Sequence, residues 1–139
     1  MKAFSFRLVR VLDYRAKQEK WAEDAYREAR ALLTQAELEL SQLLDKQGAA
    51  QATHAPSIDV RRSLETYLQK LEDDISAQKT VIDILKSDEN MAKEEWLVAR
   101  RNHEALCKLR DVAEAEWKTE ENAEEQKGLD EWSNTRKAA

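Results

Sequence analysis

The sequence has 139 residues, of which 37% are charged and 6% aromatic, and it contains only two glycines and one proline. Long helices tolerate this composition, whereas β-hairpins and glycine-rich catalytic loops need residues that accept a positive φ angle. The net charge of −5 argues against nucleic acid as the main ligand, because phosphate binding requires a basic face. We recognise no signal peptide and no apolar run of the roughly 18 residues that a transmembrane helix needs, so we expect a soluble cytoplasmic protein.

The first predicted helix covers about residues 4–47. Ser5 is its expected N-cap, and Phe4 is expected to pack on Val9 as a hydrophobic staple. The predicted inward-facing series shifts by one residue near its end. It consists of Phe4, Leu8, Val11, Arg15, Gln18, Ala22, Ala25, Ala29, Leu32 and Ala36, followed by Leu40, Leu43 and Leu44.

Residues 48–57 predict a loop between two antiparallel helices. Gly48 suits a helix C-terminus and Pro56 cannot continue a helix. Ser57 is the expected N-cap of the next helix, with Asp59 in its first turn, where the helix dipole favours negative charge.

The second predicted helix covers about residues 58–127, and Gly128 is expected to end it. A bend is compatible with residues 86–95, where apolar residues are few, and the tail 133–139 is expected to fray. The apolar seam of this second helix repeats every 3.5 residues, which is typical of a coiled coil. The seam is Leu64, Leu68, Leu71, Ile75, Gln78, Ile82, Leu85, Glu89, Ala92, Trp96, Ala99, His103, Leu106, Arg110, Ala113, Trp117 and Glu120. The predicted fold is therefore all-α: a single antiparallel coiled-coil hairpin over residues 1–139 whose C-terminal helix is the longer.

The two predicted helices differ in length. If the loop centres near residue 52 or 53, Phe4 lies near Arg101, and the seam after about residue 102 has no partner within the chain. This uncovered segment is acidic, whereas the first twenty residues are basic. We expect another protein to cover the uncovered seam.

No catalytic, metal-binding or cofactor-binding group is predicted. His54 lies in the loop and His103 far along the second helix, so the two cannot meet in an antiparallel hairpin. We expect His103 to be a polar interruption that fixes register, and Cys107 to be an inert thiol without a nearby base. The chain is not expected to be an enzyme, and we expect no cofactor.

Both ends of the chain carry more specific motifs. The opening Phe-Ser-Phe-Arg-Leu-Val-Arg-Val-Leu-Asp-Tyr-Arg (residues 4–15) and the closing Glu-Gln-Lys-Gly-Leu-Asp-Glu-Trp (residues 125–132), followed by Arg136, resemble the flagellar export protein FliJ family. The resemblance implies a coiled coil similar to the γ subunit of rotary ATP synthases. It also implies a cytoplasmic component of flagellar type III export that is recruited peripherally to the inner membrane, without direct membrane insertion.

The same resemblance implies the partners and the contact residues. The partners are the hexameric flagellar export ATPase, whose assembly and activity the stalk promotes, the cytoplasmic linker of the export-gate membrane protein, and the export chaperones. The gate contact falls on Leu43, Tyr67 and Leu71, although Lys46, Ala50 and Gln78 depart from the family pattern. The expected ring contacts are Phe4, Phe6, Arg7, Arg10, Leu106, Leu109, Trp117, Gln126, Lys127, Leu129, Asp130, Glu131 and Trp132.

Three other interpretations remain open from the sequence. The chain could be the corresponding stalk of a virulence injectisome, a coiled-coil chaperone that holds unfolded clients, or a coiled coil that dimerises through the uncovered seam. The loop 48–57 has no large apolar residue for client binding, which disfavours the second of these.

Overall fold

The chain folds into two long α-helices joined by a short loop. In the computed structural model, which describes residues 3–138, α1 spans Val9–Ala52 and α2 spans Ile58–Ala138. The helices pack against each other, and residues 3–138 contain no strand. The predicted all-α hairpin with a longer C-terminal helix is therefore confirmed. Neither helix, over the same residues, has a segment long and apolar enough to cross a membrane.

Helix α1 begins at Val9, not near residue 4 as predicted. The Val9 backbone N–H donates to the Phe6 carbonyl at 3.2 Å, which closes a turn before the helix, so Ser5 is not its N-cap. Phe4, predicted to pack on Val9, instead places its ring 5.9 Å from the ring of Trp117. This partly buried aromatic contact stabilises the non-helical path of the segment, whereas an additional uncapped helical turn would gain little.

The loop covers residues 53–57, so the predicted boundary at residue 48 is wrong. Helix α1 continues through Gly48 to Ala52. Gly48 does not have a positive φ, and it therefore does not form the left-handed cap that a helix end at this point requires. At the other side of the loop, Ser57 Oγ accepts the backbone N–H of Val60 at 3.3 Å. The predicted N-cap and the predicted start of α2 near residue 58 agree with this geometry.

Helix α2 does not end near Lys127 as predicted. It continues through Gly128 to Ala138, so the tail predicted to fray is helical as far as the structure describes it, and Ala139 lies outside the described residues. Gly128 also lacks a positive φ. A glycine inside a helix costs about 1 kcal/mol relative to alanine, which the helix-favouring residues around it can offset. Residues 86–95 are helical throughout.

By its internal contacts the chain divides into two compact units, of which one is Trp21–Trp96. Leu33, Ala36 and Ile82 form its buried cluster, and Leu40 and Leu85 pack against that cluster. The same unit also buries Ala50, Leu71 and Ile75. Within the seam, Gln78 Nε2 donates to the Ala36 carbonyl at 2.9 Å. A polar bond at a seam position fixes how the two helices pair, because a shift of one turn would leave the amide without its acceptor.

The second unit combines Met1–Lys20 with Leu97–Ala139. Leu12 is buried there, whereas Leu106, Ala113 and Trp117 are half-buried. The expectation that Phe4 lies near Arg101 and leaves the following seam uncovered is therefore wrong. Residues 3–8 are not helical, and a non-helical segment covers up to about 3.3 Å per residue against 1.5 Å in a helix, so a few residues reach far along α2.

The inward-facing residues of α1 follow one unbroken heptad series. Leu12, Tyr26 and Leu33 face inward, whereas the predicted Val11, Ala25 and Leu32 are exposed. The predicted one-residue shift before Leu40 is wrong, because Leu40 already belongs to the series of inward-facing residues without any shift. The series is Leu8, Leu12, Arg15, Glu19, Ala22, Tyr26, Ala29, Leu33, Ala36, Leu40, Leu43, Gln47 and Ala50.

Candidate partner-binding surfaces

An apolar cleft lies where the N-terminal segment meets α2. We name it the terminal cleft; its volume is about 590 Å³. The rings of Phe4 and Trp117 meet at one side with an angle of 50° between their planes. Leu109 and Val112 remain 53% and 56% exposed beside it. The lining residues are Phe4, Ser5, Phe6, Arg7, Leu8, Leu109, Val112, Ala113, Glu116, Trp117 and Glu120.

The terminal cleft collects five of the residues predicted to contact an ATPase ring. They are Phe4, Phe6, Arg7, Leu109 and Trp117. Two further predicted residues lie nearby in sequence but do not line the cleft. Arg10 is exposed in the first turn of α1, and Leu106 is half-buried on α2. The lining of the cleft combines apolar side chains with the guanidinium of Arg7 and the carboxylates of Glu116 and Glu120.

The other predicted ring contacts lie on the last part of α2, which we name the acidic segment, residues 120–132. All six are exposed: Gln126, Lys127, Leu129, Asp130, Glu131 and Trp132. Leu129 and Trp132 are both 61% exposed. The Arg136 guanidinium lies 5.1 Å from the centre of the Trp132 ring, and Gln126 Nε2 donates to Asp130 Oδ1 at 3.1 Å. These contacts lie within one helix and leave most of each side chain available to a partner.

The three predicted gate-contact residues differ in exposure. Leu71 is only 3% exposed and belongs to the core, whereas Tyr67 is 44% exposed and Leu43 is half-buried. The structure therefore leaves Tyr67 with the largest accessible side chain of the three.

His103 connects the two helices through its imidazole ring. Its Nδ1 lies 2.5 Å from Glu19 Oε2, and its Nε2 lies 3.5 Å from Cys107 Sγ. Cys107 thus has a base beside it, contrary to the sequence expectation. None of these three side chains lines the terminal cleft. The arrangement holds α1 and α2 in register, as predicted for a polar interruption of the seam.

Sequence reasoning missed a set of exposed apolar residues on α2. Val81, Ile84 and Met91 are 43%, 58% and 58% exposed, and they do not belong to the seam. Their spacing of three and seven residues is visible in the sequence, but the stronger seam that runs beside it dominates the pattern.

Comparison with known proteins gives one family. The family model described as "Flagellar FliJ protein" matches residues 4–138, nearly the whole chain. No curated protein and no solved structure matches the chain significantly.

Proposed function

The chain belongs to the flagellar FliJ family and is thus a component of the flagellar type III export apparatus, and we propose that it serves there as the central stalk of the export ATPase ring. In this proposal the chain has no catalytic activity of its own. The ends of the chain enter the ring and promote its assembly and ATP hydrolysis. The observation that carries the proposal is the accessible apolar and acidic surface at these ends.

The terminal cleft supports ring contact because its apolar lining is partly exposed. Leu109 and Val112 are more than half exposed, and an apolar surface of this kind gains free energy when a partner covers it. Arg7 and Arg10 add exposed basic groups beside the cleft.

The acidic segment supplies electrostatic attraction. Lys127 is the one lysine between residues 120 and 132, and the carboxylates of the segment outnumber it. A ring whose inner surface is basic would attract such a segment, and Trp132 and Leu129 would then provide the apolar anchors. A stalk that contacts the ring subunits unequally biases their nucleotide states, which is how a non-enzymatic chain raises hydrolysis.

The rate of ATP hydrolysis by the export ATPase tests this proposal. The full chain should raise the rate, and a chain ending at Trp132 should raise it equally. A chain that ends at Glu120 keeps the residues of the terminal cleft but loses most of the acidic segment, and we expect it to stimulate at least about tenfold less well. Full stimulation by the chain ending at Glu120, with helicity checked by circular dichroism, would contradict the role of the acidic segment. No stimulation by the full chain would refute the stalk function.

We assign the gate contact to Tyr67 and the exposed surface around it. Because Leu71 is buried, its contribution is to hold α2 in place rather than to touch the gate. Replacing Tyr67 by alanine should weaken binding of the export gate's cytoplasmic linker, measured by isothermal titration calorimetry. Thr66→Ala is the matched control, since Thr66 is also exposed and its hydroxyl bonds only the Arg62 carbonyl of its own helix. Equal affinity of the two variants would place the gate contact elsewhere.

The remaining roles are also proposals that follow from the family. The chain works on the cytoplasmic side, is recruited peripherally to the inner membrane, and binds export chaperones. Co-purification of the chain with export chaperones tests the last point.

A further inference from the structure

A second heptad series runs along α2 beside the seam. Ile84, Met91, Val98, Ala105 and Val112 follow one another at seven-residue intervals, and all five are exposed. The hairpin does not need this series, because its own seam is already filled by inward-facing residues from Leu64 to Leu106. An apolar stripe with the period of a coiled coil that is not used within the chain indicates a helix-binding face.

Within the Trp21–Trp96 unit, α1 contributes to the same face. Leu33 and Ile82 share the buried cluster, and the residues that precede them, Leu32 and Val81, are exposed. A step back of one residue turns a side chain by 100° about its helix axis. Because the helices are antiparallel and face each other, the side chains of Leu32 and Val81 point toward the same side of the helix pair. Glu39, which precedes Leu40 in the same manner, accepts a hydrogen bond from Gln78 Nε2 of α2 at 3.2 Å, so it lies at the border between the two helices.

We name this side of the unit the outer face. Five of its large apolar side chains are between 43% and 60% exposed: Trp21, Leu32, Val81, Ile84 and Met91. Exposed apolar side chains on two neighbouring antiparallel helices offer a third helix an apolar surface to pack against.

The charges on the outer face are one-sided. The same helical positions hold apolar and uncharged residues, and the charged ones between and beside the apolar side chains are acidic: Glu28, Glu39, Asp74, Asp88 and Glu95. The lysines at these positions, Lys46 and Lys70, lie toward the loop. A second copy of the chain would bring the same carboxylates against the first, and like charges placed together disfavour that pairing. A helix with basic residues beside its apolar stripe matches both the shape and the charge.

We propose that the outer face binds a basic amphipathic helix of another protein. The helix would span about three heptads, since 21 residues cover about 31 Å, which corresponds to α2 from around residue 75 to 95. Its apolar stripe packs between Leu32 and Ile84, and its lysines or arginines pair with the carboxylates on either side. Tyr67, which we assign to the gate contact, lies at the same helical position as Val81 but outside this span, and the terminal cleft belongs to the other unit, so the inference rests on neither contact.

A designed peptide tests the proposal directly. The probe is a synthetic, fluorescently labelled 21-residue helix with leucines at heptad positions a and d and lysines at e and g, which repel one another and keep the peptide from pairing with itself. Fluorescence anisotropy measures its binding to the full chain. A second peptide with glutamates in place of the lysines has the same apolar stripe and the opposite charge.

Two neutral substitutions locate the binding. Ile84→Gln and Leu44→Gln both replace an exposed aliphatic residue on a helix surface. Leu44 follows the inward-facing Leu43, so it points to the opposite side of the pair and serves as the control. We expect Ile84→Gln to weaken binding of the basic peptide at least about tenfold and Leu44→Gln to leave it unchanged.

Four outcomes would overturn the proposal. They are no binding of the basic peptide, equal binding by the Ile84→Gln variant, equal binding of the acidic peptide, and self-association of the chain in sedimentation equilibrium that Ile84→Gln abolishes. The last would show that a second copy occupies the outer face.

Discussion

Two isoleucines on α2, only two positions apart, give opposite expectations for stability. Ile82 is 6% exposed and packs with Leu33 and Ala36, whereas Ile84 is 58% exposed on the outer face. Replacing each by alanine removes the same atoms and changes helix propensity equally, so the difference between the two variants reports burial alone. Full burial of an isoleucine side chain contributes about 1.5–3 kcal/mol, and the two sites differ by about half of the accessible area, which gives about 0.8–1.5 kcal/mol.

A cavity adds to the cost at Ile82. Ile→Ala in well-packed cores costs about 2–5 kcal/mol, and a two-helix interface collapses around the lost atoms more readily than a globular core does. We therefore expect Ile82→Ala to lower the free energy of unfolding by about 2 kcal/mol more than Ile84→Ala. Urea unfolding followed by circular dichroism at 222 nm measures both. Equal losses for the two variants, or a larger loss for Ile84→Ala, would show that α2 presents a different face to α1.

Three other predictions concern the loop, the end of α2 and the aromatic stack. Ser57→Ala should lower stability by about 1 kcal/mol because the Val60 N–H loses its acceptor, while Ser63→Ala in the exposed part of α2 should not; equal effects would contradict the cap. Gly128→Ala should raise the melting temperature, since an added Cβ meets nothing within 4 Å and φ is not positive. A lower melting temperature would instead indicate that α2 ends near Gly128, as predicted from the sequence. Tyr26 and Trp96 stack with centroids 5.6 Å apart and 9° between planes, so a double-mutant cycle should give a coupling of about 0.5–1.5 kcal/mol, and a coupling of zero would refute the stack.

The seam of α2 could be predicted from the sequence, but the inward face of α1 could not. In α2 one heptad series carries most of the large apolar residues, so the other possible series contain fewer of them. In α1 two series lie side by side, one through Val11 and Leu32, the other through Leu12 and Leu33. Both have the correct period, and only packing against α2 decides which is buried.

The predicted helix ends are wrong because a single glycine does not by itself end a helix. Gly48 and Gly128 both lie inside helices, where glycine is tolerated at a cost of about 1 kcal/mol. The start of α1 depends on a distant contact, that of Phe4 with Trp117, which local sequence signals do not contain. The same contact forms one side of the terminal cleft, so the sequence alone could not show that five of the predicted ring-contact residues line a single cleft.

The outer face could not be recognised from the sequence for a different reason. Its heptad spacing is present in the sequence, yet exposure distinguishes a binding face from a core, and exposure is known only once the seam has been assigned. Trp21 lies off the predicted seam, and Leu32, Ile84 and Met91 are exposed on the same side.

Site-specific photo-crosslinking to the export ATPase tests the central claim most directly. A benzophenone amino acid replaces Trp132 in one variant and Leu44 in another; both side chains are exposed, so neither replacement disturbs the core. The stalk proposal predicts a crosslink from position 132 to the ATPase in the assembled hexamer, and none from position 44. Crosslinks of equal yield from both positions, or none from position 132, would contradict it.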